Sequence, residues 1–187
     1  MLRPIGHRDG VDCGGVDPGV DRGEVATTTC PSCGYTAPVY GGSVESRFRA
    51  SAECYAAYQE LAAYNLTGGR RDFIHQEAVD AYAAQHPGPP AKPMATWFGL
   101  VGLHLALDLG RTGREVQQAH MRLARRRRHW PELAAPADLT GMVVADVMQQ
   151  PADDTRDDAL WRWAGEVWEH WAAVHQVIAD LCADQGL

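Results

Sequence analysis

The sequence lacks the segments that would direct a protein into or across a membrane. Residues 1–25 are interrupted by glycine, aspartate and arginine and contain no apolar run typical of a secretory signal. The most apolar stretch, residues 94–107, is too short to span a bilayer and is followed directly by Asp108. We therefore expect a cytoplasmic protein without a membrane partner, in which this stretch forms a buried helix.

The sequence also lacks an excess of positive charge. Its formal net charge is -7 at pH 7 and its pI is about 5.5, which argues against nucleic acid as a partner. The strongest basic segment is a run of four arginines at residues 125–128. We interpret this run as the complement to the negative end of a helix dipole, with a patch for an anionic ligand as the alternative.

Cysteines are few, and their odd number argues against a secreted disulfide framework. The chain has five, and Cys30 and Cys33 form a Cys-x-x-Cys pair followed by Gly34. The flanking residues 25–29 and 35–40 are β-prone, so the pair has the form of a zinc knuckle at the tip of a hairpin. A redox dithiol is the alternative, but such a pair would be expected to open a helix.

The remaining pattern predicts a helical body. Residues 1–24 are rich in glycine and aspartate without periodicity, and we interpret them as a flexible leader. Residues 25–187 are expected to form a single helical metal-binding domain. Its fold class is mainly α, a bundle of four to five helices with a small N-terminal zinc-knuckle hairpin. Helices are predicted near residues 51–64, 71–86, 96–109, 112–129 and 155–183, while residues 140–149 are ambiguous between strand and helix.

The proposed metal ligands come from the knuckle and the first two helices. Cys54 lies in a helical first turn, where the helix N-terminus favours the thiolate. Counting outward from the connecting turn places it level with Ala81 on the next, antiparallel helix. We predict that Zn²⁺ is the cofactor and that the fourth ligand is His86, with His75 and Asp80 as competitors. The predicted set is Cys30, Cys33, Cys54 and His86.

A second polar group is expected at the other end of the same helices. His75 and His104 fall on apolar helical faces at similar levels, and His175 lies on the face of the last helix. Such imidazoles could hold a second, open metal ion or act as acid and base without one. The competing interpretation is polar groups satisfied inside a helical bundle. The candidate catalytic residues are His75, Asp80, Tyr82, His104 and His175. In the version with a second metal ion, Asp80 or Asp108 orients an imidazole and Tyr82 donates a proton.

These motifs resemble those of a family of small bacterial proteins catalogued only as a domain of unknown function. The most specific is His-Gln-x-x-Val-Asp-x-Tyr-x-x-Gln-His-Pro-Gly at residues 75–88, and the likeness covers roughly residues 28–183. It also includes the knuckle, Cys54, His104 and the tryptophan-rich run that ends at His175. The resemblance implies a helical body and a metal-binding pattern, and it carries no activity over to this chain.

Two functions are therefore in competition. The first is a small zinc-binding metalloenzyme that performs non-redox chemistry on a small-molecule substrate between helices. The chemistry would be hydration or elimination, isomerisation or cyclisation, or hydrolysis, which makes the enzyme a lyase, isomerase or hydrolase. The alternative is a zinc-stabilised protein-interaction or regulatory module without catalysis. A homo-oligomer is compatible with either, and the sequence names no substrate.

Overall fold

The computed structural model describes residues 25–44, 48–67, 73–126 and 129–187. The predicted leader, residues 1–24, lies outside the described residues, as do Arg127 and Arg128. Within the described residues no helix is long and apolar enough to cross a membrane.

A two-stranded antiparallel hairpin precedes the helices, as predicted. Strands β1 (Thr27–Thr29) and β2 (Thr36–Pro38) pair with Thr28 opposite Ala37. Between them the backbone amide of Cys30 donates to the carbonyl of Tyr35 at 2.8 Å. Gly34 has a φ of 76°, the left-handed region in which glycine is free of steric strain. This turn presents both knuckle cysteines on one side of the hairpin tip.

The rest of the described chain is mainly helical, which confirms the predicted fold class. Helix α3 (Pro93–Leu103) continues into a π-helical turn, His104–Asp108. A 3₁₀ turn, Ala172–Val174, separates the last two helices. The α-helices are α1 (Ala52–Thr67), α2 (His75–Gln85), α3 (Pro93–Leu103), α4 (Gly113–Arg126), α5 (Val144–Met148), α6 (Asp154–His170) and α7 (His175–Gln185).

Helix α2 lies at the centre and packs against α1, α3, α4 and α6. It approaches α3 closely because glycines face it. A Cβ on Gly99 would lie 2.6 Å from the carbonyl oxygen of Asp80, and one on Gly102 would overlap the Asp80 carboxylate. Residues without side chains therefore allow the backbone of α3 to lie against α2.

Local signals in the sequence placed several helix ends well. The capping box predicted for α4 is present, because the Thr112 amide donates to Glu115 Oε2 at 2.9 Å and the Glu115 amide donates to Thr112 Oγ1 at 3.4 Å. The ambiguous residues 140–149 contain the short helix α5 rather than a strand. There the Asp146 carboxylate accepts a hydrogen bond from the amide of Val143 at 2.8 Å.

The prediction of one continuous helix over residues 155–183 is wrong. Helix α6 ends at His170, and the amide of Trp171 bonds the carbonyl of Trp168 at 2.9 Å, which tightens the turn before α7. The periodicity of this segment predicts Trp161 on the buried face together with Trp168 and Trp171. Trp168 and Trp171 are buried as predicted, but Trp161 is 37% exposed and Trp163 is fully buried instead. The indole of Trp163 donates to Gln85 Oε1 at 2.9 Å, and this bond to α2 fixes which face of α6 is inside.

Candidate metal centre

Three elements bring four candidate ligands to one place. The hairpin tip supplies Cys30 and Cys33, the first turn of α1 supplies Cys54, and the end of α2 supplies His86. Ser51 fixes the start of α1, since its hydroxyl accepts a hydrogen bond from the Cys54 amide at 3.2 Å. Pro87 follows His86 and stops α2 at this point.

The ligand atoms of this Cys₃His cluster all lie within 4.8 Å of one another, and the four residues are at most 2% exposed. Cys33 Sγ is 3.7 Å from Cys54 Sγ, which in turn is 3.3 Å from His86 Nε2. In a tetrahedral zinc site with Zn–S and Zn–N bonds of about 2.3 and 2.0 Å, such atoms would be separated by roughly 3.5–3.8 Å. The donor atoms and their spacing therefore fit a tetrahedrally bound ion.

His86 is oriented with one ring nitrogen toward the cysteines. Its Nδ1 atom donates a hydrogen bond of 2.8 Å to the carbonyl of Tyr82, one turn earlier on α2. A backbone acceptor on Nδ1 selects the tautomer in which Nε2 has a free lone pair. Nε2 is the nitrogen that faces Cys54. The hydrogen bond that orients a metal-binding histidine through its other ring nitrogen is thus present.

The three thiols share protons in a way that a cation would change. Hydrogen bonds from Cys33 and Cys54 hold the pKa of Cys30 far below its usual range. As donors to Cys30, Cys33 has a pKa raised to about 12 and Cys54 also has a raised pKa. Cys33 and Cys54 therefore hold their protons more strongly than free cysteines do. A metal ion would be needed to ionise all three, as zinc binding requires.

Tyr82, predicted as a catalytic proton donor, lies in the wall of this centre. Its hydroxyl donates to Cys54 Sγ at 3.6 Å, and its ring stacks on Tyr58 with centroids 4.1 Å apart. Burial, followed by the nearby Cys54, raises the pKa of the phenol. The side chain is fully buried, so its hydroxyl serves the cysteine cluster instead of facing the other candidate catalytic residues.

The structure does not bring His75, His104 and His175 together into one site. Within the described ranges, the Cys₃His cluster is the one group of three or more His, Cys, Asp or Glu residues placed to hold a metal ion. His75 is half-buried on α2, where burial lowers its pKa, and its ring lies against Phe73. Three histidines on separate helices can share apolar faces without sharing a level along the bundle.

His104 and His175 meet instead at Trp168. His175 stacks on its indole with ring centroids 3.7 Å apart and donates from Nε2 to its carbonyl at 2.9 Å. His104 Nδ1 lies 2.8 Å from Asp108 Oδ2, while the Trp168 indole donates to Asp108 Oδ1 at 3.3 Å. Asp108 thus orients an imidazole as expected. The π-helical turn places both residues at the junction with α6.

Asp80 lies apart from the cysteines and belongs to a different polar cluster. Gln76 Nε2 donates to both of its carboxylate oxygens at 3.0 and 3.1 Å, and His120 Nδ1 on α4 is 3.9 Å from Asp80 Oδ1. Burial raises the pKa of Asp80 well above its ordinary value and lowers that of His120 to about 4. Burial therefore opposes ionisation of both side chains, so each favours its neutral form more strongly than it would in water.

Sequence reasoning missed His120 and Gln76 as members of this cluster. His120 shares the buried face of α4 with Val116, Ala119 and Leu123 at helical spacing, which was a readable signal. Gln76 is one turn from Asp80 on α2, so their side chains are neighbours on the helix surface. In α4 the sequence pattern gave a role only to the arginines at its end, and the histidine on its buried face was assigned none.

Comparison with known proteins supports the resemblance noted from the motifs. The model of DUF5946, a family of unknown function, matches residues 28–172, which is more than half of the chain. No curated protein and no solved structure matches the sequence. The matched range includes the hairpin, all four residues of the Cys₃His cluster and the cluster around Asp80. The chain therefore belongs to DUF5946, a family of unknown function.

Proposed function

We propose that this protein is a zinc-stabilised module, with Zn²⁺ held by Cys30, Cys33, Cys54 and His86. The observation that carries the proposal is the gathering of three sulfur atoms and one imidazole nitrogen, all buried, within 4.8 Å of one another. Thiolate and imidazole ligands in a tetrahedral arrangement favour zinc over the hard cations that prefer oxygen. The Tyr82 hydroxyl lies next to the set and donates to a ligand sulfur.

The same geometry supports a structural role for the ion. Four protein ligands complete a tetrahedral shell, whereas catalytic zinc sites keep a position for water or substrate. The ligands join the hairpin, α1 and the end of α2. Zinc would supply a cross-link between these elements, and its binding free energy would add to the stability of the fold. A module of this kind would present its surface to a protein partner or a regulator.

A non-redox enzyme is the second candidate, and the cluster around Asp80 favours it. A carboxyl group whose pKa is raised by burial, beside an imidazole whose pKa is lowered by burial, is a pairing suited to acid–base steps such as elimination, isomerisation or hydrolysis. The two groups line a cavity of about 240 Å³ between α2, α3 and α4. Of the residues predicted to be catalytic, Asp80 lines this cavity. The chemistry would be carried by the side chains of the cavity, with zinc confined to the separate closed site.

Metal analysis of purified variants tests the zinc proposal. The wild-type chain is expected to retain one zinc per molecule and to lose helical circular dichroism when a strong chelator removes it. Cys54→Ser and His86→Ala should each lower the zinc content sharply. The matched control is Cys182→Ala, which changes another buried cysteine that lies outside the cluster. An equal loss of zinc in Cys182→Ala, or a metal-free wild type that folds fully, would refute the proposal.

A further inference from the structure

A cavity separate from the metal centre lies between three helices. It has a volume of about 240 Å³, which exceeds the roughly 150 Å³ of an engineered apolar cavity able to bind benzene. Its lining on α2 runs from Gln76 to Ala83, and the seven helical steps between these residues extend over about 10 Å. The space therefore suits a molecule the size of a single substituted ring.

The walls of the cavity are apolar along most of their length. They are contributed by aromatic and aliphatic side chains together with the bare backbone of α3 at Gly99. The apolar lining residues are Phe48, Val79, Ala83, Met94, Ala95 and Phe98. Such walls bind the body of a ligand by excluding water, and a few polar groups then fix its orientation.

The buried end of the cavity is polar, and burial opposes the charged forms of the two titratable groups there. It is formed by Asp80, Gln76 and His120, which are at most 9% exposed. The Nε2 atom of His120 is buried and has no hydrogen-bond partner of good geometry among the described residues, although the backbone of Phe98 also interacts with the imidazole. An unsatisfied buried polar atom is costly, so a ligand group that bonded it would bind favourably. An uncharged hydroxyl group fits this end, because it can both donate and accept.

The exposed end of the cavity carries a positively charged side chain. It is lined by Lys92, the only lysine in the sequence, which is exposed and makes no ion pair with any described residue. Lys92 directly precedes α3, and the N-terminus of a helix adds partial positive charge. In a chain with a formal net charge of -7, this mouth is a local site for a carboxylate.

We propose that this cavity binds a small hydroxy-aromatic carboxylate, with the ring between α2, α3 and α4. The carboxylate pairs with Lys92 at the mouth, and the hydroxyl group bonds His120 and Asp80 at the buried end. Such a molecule would be the regulator of the proposed module or the substrate of the proposed enzyme. Because the cavity is separate from the Cys₃His cluster, failure to bind a ligand would leave the zinc proposal standing.

The test uses the zinc-loaded full chain with its methionine methyl groups labelled with ¹³C. Of the five methionines, Met94 lines the cavity and Met121 is exposed on α4. The probe is 4-hydroxyphenylacetate, compared with 4-hydroxyphenylacetamide, which lacks the charge, and phenylacetate, which lacks the hydroxyl group. We expect a saturable shift of the Met94 signal, assigned with Met94→Leu, and no shift of the Met121 signal.

The comparison ligands and variants assign each end of the site. The amide should bind about two- to fivefold more weakly than 4-hydroxyphenylacetate. Lys92→Gln should remove this difference in affinity, and the control Arg162→Gln should leave it unchanged. Phenylacetate should bind up to about tenfold more weakly than the probe, and His120→Phe should remove that difference. No saturable Met94 shift, or equal binding of all three compounds, would overturn the proposal. The proposal would also be overturned if Arg162→Gln reduced the difference in binding between the acid and the amide as strongly as Lys92→Gln does.

Discussion

Replacing Asp80 with asparagine tests the claim that a neutral carboxyl group is buried at the centre of the fold. Asparagine has nearly the shape of a protonated carboxyl group, and its side-chain oxygen can still accept the hydrogen bond that Gln76 donates. The variant therefore keeps the packing against Gly102 and removes the ability to ionise, together with one of the two oxygens that accept from Gln76. Its stability relative to wild type should depend on pH in a defined direction.

The sign follows from the pKa of Asp80. Burial raises this pKa in the folded protein, whereas in the unfolded chain a carboxyl group titrates near about 3.9. Between those two values the folded state binds more protons, so the free energy of unfolding of the wild type falls as pH rises. The Asp80→Asn variant has no ionisable group at this position, so its free energy of unfolding lacks this fall. The stability of the variant minus that of the wild type should rise by up to about 1.4 kcal/mol per pH unit until Asp80 ionises.

Urea unfolding followed by circular dichroism, repeated from about pH 5 to pH 8, measures this difference. His120, whose pKa is lowered to about 4 in the folded state, adds a pH dependence of its own up to about pH 6.5. His120 and Glu77 are present in both proteins, so the difference between variant and wild type isolates the contribution of Asp80. The control is Asp158→Asn, which removes a carboxylate from an exposed position on α6. A difference that is independent of pH, or that falls as pH rises, would refute the account of Asp80.

Two further pairs of substitutions test how the helices pack. Trp163→Phe should lower the free energy of unfolding by about 1–3 kcal/mol through a lost hydrogen bond and lost packing, while Trp161→Phe should change it by less than about 0.5 kcal/mol. Gly102→Ala should destabilise by about 1–3 kcal/mol because the added methyl group overlaps Asp80. Gly165→Ala adds the same group in open space within α6 and should stabilise by up to about 1 kcal/mol. Chemical denaturation measures the free energy of unfolding of all four variants. The packing described would be contradicted if Trp161→Phe destabilised more than Trp163→Phe, or if Gly165→Ala destabilised more than Gly102→Ala.

Local chemistry explains why much of the fold could be predicted from the sequence. Glycine and proline mark helix ends through backbone sterics, as at Pro87, and a capping box acts within one turn, as at Thr112. Short connections make successive helices antiparallel, so counting placed Cys54 near Tyr82, where their side chains are in contact. Among the competing fourth ligands, the structure places His86 beside the cysteines and Asp80 elsewhere.

What could not be predicted depends on contacts between segments far apart in sequence. The break after His170 and the inward face of α6 depend on indole bonds to α2, including one from Trp171 to the carbonyl of Ala84 at 3.1 Å. Periodicity alone cannot report them, because it assumes a continuous helix. The pairing of His120 with Asp80 likewise needs the position of α4 against α2. Histidines on apolar faces indicated buried polar clusters, but not which of them share a level.

The most direct test of the zinc proposal is X-ray absorption at the zinc edge of the purified protein. With Cys30, Cys33, Cys54 and His86 as ligands, the first shell should contain three sulfur atoms at about 2.3 Å and one nitrogen at about 2.0–2.1 Å. The nitrogen contribution should be lost in His86→Ala. A first shell made of oxygen and nitrogen, or one with fewer than three sulfur atoms, would contradict the account.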